Sequence, residues 1–77
     1  MKLLEVGTIF VVLTCSKIRY EKITGVPVYL ESHEGWYYPT ISCSKLGKEF
    51  KRTNGVNRDW LHKNLKKYPN HFKAWKV

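Results

Sequence analysis

The sequence predicts a small, mainly β fold: a bent antiparallel sheet or partial barrel, with one short basic helix near the C-terminus. Three observations predict it. Residues 8–15, Thr-Ile-Phe-Val-Val-Leu-Thr-Cys, are nearly all β-branched, aromatic or apolar, and a run of that length and composition favours a strand. The glycines Gly7, Gly25, Gly35, Gly47 and Gly55 are spaced one per connection, as turn residues are, and form no phosphate-cradling loop. The apolar period changes only late, where Leu61, Leu65 and Tyr68 recur at i, i+4 and i+7, a helical stripe.

Each element follows in order. In the first strand Ile9, Val11 and Leu13 face one way and Phe10 and Val12 the other. Apolar residues on both faces make it a central strand. Residues 16–25 are polar, without clear period, and read as a long excursion between strands. Residues 26–31 alternate, Val26, Val28 and Leu30 against Pro27, Tyr29 and Glu31; Pro27 has no N–H, which suits a strand start or an edge. His33-Glu34-Gly35 is a hairpin turn in which Gly35 takes positive φ. Residues 36–43 form the next strand, with Trp36, Tyr38, Thr40 and Ser42 on one face and Tyr37, Pro39, Ile41 and Cys43 on the other. Pro39 directs that strand toward an edge or a bulge. A second turn, Ser44-Lys45-Leu46-Gly47, leads into a strand over residues 48–53 whose Phe50 reaches the core, and Asn54-Gly55 turns the chain again. Asp59 is the expected helix N-cap. Pro69 stops the helix near Lys67, because a residue preceding proline is pushed out of the α region. Residues 70–77 form a last strand or an irregular tail.

The 77 residues make one domain, a sheet part over 1–56 with a helix and tail over 57–77 packed on it. A chain 43% apolar, with three Trp, five Tyr and three Phe, has the means to fold alone. The Val6-Gly7-Thr8 opening, the long first loop and the later short hairpins are similar in strand spacing, over about residues 5 to 56, to the SH3-like barrels of many ribosomal and transcription-associated domains. The resemblance carries no diagnostic motif and assigns no residue a role.

Lys2 followed by the apolar run to Cys15 has the outline of a lipoprotein signal. Glu5 and Gly7 interrupt it, Thr14 fits poorly before the cysteine, and the run is too short to span a bilayer. A buried first strand in a cytoplasmic protein, with no membrane role, is the expectation. Cys15 and Cys43 are too few for a disulfide framework. With His33, His62 and His71 they form no Cys-x-x-Cys pair or zinc-type spacing, so no metal or cofactor is expected. Catalysis is not expected either: the only aspartate, Asp59, is accounted for as a cap, and His62 with Lys66 lies on a solvated basic helix.

Charge carries the functional expectation. Before Ser44, four basic residues (Lys2, Lys17, Arg19, Lys22) cancel four acidic ones (Glu5, Glu21, Glu31, Glu34). After it, ten basic residues face only Glu49 and Asp59, so the net +8 resides in the last 33 residues. Positive charge interleaved with Phe50, Trp60, Tyr68, Phe72 and Trp75 suits a polyanion. The expected function is non-catalytic binding of DNA or RNA through the phosphate backbone, in transcription, translation or nucleoid-type regulation. Its footprint is Lys45, Lys48, Lys51, Arg52, Arg58, Lys63, Lys66 and Lys67, with Trp36 and Tyr38 as stacking platforms and Tyr37 packed inward. The alternative is a small protein-interaction module or inhibitor docking on an acidic patch, anchored by Trp36 or Trp60.

Overall fold

The computed structural model describes residues 3–13 and 17–76. The expected extension of the first strand through Thr14 to Cys15, and any pairing of Cys15 with Cys43, lie outside them. Among these residues six strands form one open antiparallel sheet: β1 (Thr8–Leu13), β2 (Ile18–Ile23), β3 (Val28–Leu30), β4 (Gly35–Cys43), β5 (Glu49–Asn57) and β6 (Phe72–Lys76). One helix, α1 (Arg58–Lys67), joins β5 to β6, and a single 3-10 turn, Glu31–His33, joins β3 to β4. The mainly β expectation with one short helix holds, and the barrel stays open.

The sheet order is β3-β4-β2-β1-β6, with β5 on the opposite edge of β4. β1 is central, as its two apolar faces require, pairing β2 through Ile9–Lys22 to Leu13–Ile18 and β6 through Thr8–Lys76 to Val12–Phe72. α1 packs across β4, β5 and β6. It covers the inner face, where Phe10, Ile23, Tyr38 and Leu61 form the buried core with Leu4, Val12, Val56 and Leu65 around them. No helix among the described residues is long and apolar enough to cross a membrane.

Five local expectations are corrected. The stretch read as an excursion contains β2; its alternation was hidden because the inward position between Arg19 and Ile23 is a carboxylate, Glu21, buried but bonded by Thr40 and Arg19. Pro39 lies mid-sheet. Its carbonyl accepts from the Thr24 N–H at 2.9 Å, so its missing donor faces the same way, into the gap where β4 changes partner from β3 to β2. Asn54 and Gly55 are no turn: they pair with Thr40 and Pro39 inside β5, whose long ladder overrides their local preference. The left-handed residue of the hairpin is Glu34, at φ 49°, not Gly35. The N-cap is Asn57, whose Oδ1 accepts from the Trp60 N–H at 2.8 Å. Asp59 sits two residues further on, in the first turn, where its charge complements the helix dipole.

The C-terminal residues take the strand alternative as β6, with Val77 outside the described residues. Leu61 is fully buried and Leu65 packs against the core, but Tyr68 is exposed beyond the helix end.

Candidate functional site: a basic cleft where two strands part

β2 and β4 pair only through Glu21–Ser42, Lys22–Ile41 and Ile23–Thr40. Beyond Ser42 they diverge: residues 18–20 stay with β1, while β4 runs into the turn at residues 44–48 and then β5. An open cleft of about 580 Å³ lies in the gap. Lys17, Arg19, Lys45 and Arg52 line it, with the rings of Tyr20 and Phe50, and no carboxylate side chain does.

Two local devices aim these groups. Two steps along β4, from Ile41 to Cys43, correspond to four along β5, from Thr53 to Glu49. The surplus is a bulge, which re-aims side chains that a regular ladder would alternate. Phe50 and Arg52 fall within it and line the cleft, so Phe50 is 52% exposed and does not join the core as expected. The second device is the turn that carries Lys45. Gly47 N–H donates to the Ser44 carbonyl at 2.9 Å, Ser44 N–H to the Lys48 carbonyl at 2.9 Å, and Lys48 N–H to Ser44 Oγ at 3.0 Å. Gly47 sits at φ +92°, where a side chain is strained, and a Cβ there would meet Ile9 Cδ1 at 3.2 Å. Lys22 Nζ ties the turn to β2, donating to the Gly47 carbonyl at 2.7 Å and pairing with Glu49 at 3.1 Å.

The acidic groups nearby are engaged elsewhere. Glu21 is held in the interior, accepting from Thr40 Oγ1 at 2.6 Å and from Arg19 Nη2 at 2.9 Å. Glu49 takes Lys22, and Asp59 takes Arg58 Nε at 3.2 Å. Arg19 stays half exposed with its charge partly met; Lys45 and Arg52 are exposed. Burial raises the Cys43 thiol above its ordinary value, Lys22 opposing and Glu21 and Glu49 adding. It is therefore a protonated, inert group in the cleft floor.

A second depression, about 460 Å³, adjoins the first on the outer face of the sheet. Ile18, Tyr20 and Lys45 belong to both. Val11, Leu13 and Trp75 complete its apolar part, and Lys73 stands with Lys45 among its lining. Tyr20 and Trp75 meet edge to face, with centroids 6.1 Å apart.

The expected footprint is thus divided. Lys45 and Arg52 line the cleft; Lys48 and Lys51 are exposed on the same turn and strand but do not. Lys63, Lys66 and Lys67 are exposed on α1, outside the cleft, with Lys67 Nζ 5.4 Å from the Tyr68 ring centre. Arg58 is half buried, its guanidinium 5.4 Å over the Trp36 ring and its Nε on Asp59. Trp36 is 42% exposed on the β3–β4 hairpin, paired edge to face with Tyr29 at 5.6 Å, and is not in the cleft.

Tyr38 as a stacking platform is corrected: it is fully buried. The face it shares with Trp36 turns under α1 as the strand proceeds. Its Oη accepts from the Leu4 N–H at 2.9 Å and lies 2.8 Å from His62 Nε2. Lys17, Arg19 and Tyr20 were missed because they fall in the stretch read as a loop, where a formal charge count cancels. Only a partial signal was present: Ile18 and Tyr20 alternate with Arg19 and Glu21, and Lys22 and Ile23 then break the pattern.

No protein-family model matches the chain, and no curated protein or solved structure matches it.

Proposed function

We propose that this protein is a non-catalytic, cytoplasmic nucleic-acid-binding protein that grips the phosphate backbone at the cleft between β2 and β4. One observation carries the proposal: four cations and two aromatic rings line an open cleft with no carboxylate among its lining side chains. Lys45 and Arg52 contact phosphates, Arg as a planar fork and Lys as a point charge. Lys17 and Arg19 extend the contact along β2, and Phe50 and Tyr20 offer faces on which bases stack. The remaining cations, on β5 and α1, supply the long-range attraction that a net charge of +8 gives toward a polyanion.

Fluorescence anisotropy with labelled DNA and RNA at several salt concentrations tests it. The expected result is micromolar or tighter binding that falls linearly on a log–log salt plot, with a slope of about 3 if the four cleft cations each neutralise one phosphate of a single strand. No binding at low salt overturns it.

A second reading has its own observation. Tyr29 and Trp36 are 51% and 42% exposed and meet edge to face, with Arg58 over the Trp36 ring and an exposed Val28 beside them. An aromatic pair with an arginine is the make-up of a protein-docking anchor. Here Trp36→Ala abolishes capture of an acidic partner protein and leaves oligonucleotide binding unchanged; the reverse pattern removes this reading.

A further inference from the structure

The cleft and the outer depression share Ile18, Tyr20 and Lys45, so together they form one track across β2. Phe50 and Arg52, with Lys17 and Arg19, line only the inner cleft, Tyr20 and Lys45 line both, and Trp75 and Lys73 line only the outer depression. Its apolar side is open: Ile18 is 60% exposed. Resting on the proposed nucleic-acid function, we infer that the ligand is a single strand, laid along this track with one base over the Phe50 end and another in the Tyr20–Trp75 depression.

The chemistry separates single strands from duplexes. A duplex presents phosphates outward but hides its base faces in the stack, so it can use the lysines and none of the rings. A single strand presents both. The outer depression offers an apolar wall of Val11, Leu13 and Ile18 with an aromatic pair, edged by Lys45 and Lys73. That combination takes a flat, uncharged base attached to a charged backbone. The lining of both depressions is wholly cationic where it is charged, which suits the phosphates of that backbone.

The test uses the full chain carrying Trp36→Phe and Trp60→Phe, which leaves Trp75 as the only tryptophan of three. Its emission is followed while a thymine-only single strand, or a hairpin duplex with the same number of phosphates, is added at low salt. The expected result is quenching of Trp75 by the single strand alone, which binds about tenfold or more tighter than the duplex. Phe50→Ala then weakens the single strand about 5- to 150-fold and leaves the duplex unchanged. Phe50 is exposed and outside the core, so this variant keeps the fold. Equal affinity for both ligands, with no effect of Phe50→Ala, overturns the track while leaving phosphate binding intact. Single-strand binding without Trp75 quenching also overturns it, by confining the ligand to the inner cleft. Binding of neither ligand overturns the function itself, and the track with it.

Discussion

Tyr38→Phe isolates what one hydroxyl contributes to this fold. The ring is fully buried, and phenylalanine keeps its shape, so neither cavity nor lost apolar burial enters. What disappears is the Oη that joins three elements: it accepts from Leu4 N–H at 2.9 Å, ahead of β1, and lies 2.8 Å from His62 Nε2 on α1. Two partners are left without it. Each net bond is worth about 1 kcal/mol and an unsatisfied buried partner about 1–3. Leu4 and His62 are only half buried, so water reaches them in part and the lower ends apply, giving about 1–3 kcal/mol in total. For a domain of this length each kcal/mol moves the midpoint by about 4–8 °C, so thermal unfolding followed by circular dichroism drops by about 5–20 °C. The urea midpoint falls with an unchanged slope, since the surface exposed on unfolding is the same. A variant as stable as the parent refutes the idea that this hydroxyl ties the N-terminal segment and helix to the sheet.

The half-buried setting of His62 also makes stability depend on pH. Burial, and then the Arg58 cation, lower the His62 pKa from its ordinary 6.5, with Asp59 opposing. Above 6.5 both states are neutral there; as pH falls from 6.5 toward the lowered folded value, only the unfolded chain takes up the proton, so stability falls and then levels off. Urea midpoints at pH 7.5 and 5.5 show the drop, and His62→Gln removes its His62 component. Asn57→Ala deletes the acceptor for the Trp60 N–H and costs about 1 kcal/mol of stability, seen as a lower urea midpoint; an unchanged midpoint means the cap is replaced by water without loss.

How much of this could be read from residues alone depends on where burial and charge coincide. The central strand was legible because both of its faces are apolar, and α1 because Leu61 and Leu65 recur at helical spacing. β2 was not: Glu21 occupies its inward position, and a carboxylate there reads as loop until Thr40 and Arg19 are seen to satisfy it. That one misreading also hid half the cleft, since Lys17, Arg19 and Tyr20 belong to the same stretch. Lys45 and Arg52 were legible as charge, but their convergence depends on a bulge and on a turn pinned by Lys22, both long-range events. Tyr38 and Trp36 share a strand face in sequence, yet one lies under the helix and the other at the hairpin tip. Alternation assigns a face, but not whether another element covers it.

The most direct measurement compares two charge variants against the same labelled single strand over a range of salt. One is Lys45→Gln with Arg52→Gln, in the cleft; the other is Lys63→Gln with Lys66→Gln and Lys67→Gln, on α1. If the cleft is the site, removing its two cations lowers the log–log salt slope by about 1.4 and weakens binding more than removing three from the helix, which leaves the slope nearly unchanged. The contradicting result is the reverse: a slope lowered by about 2 in the helix variant, with the cleft variant binding like the parent.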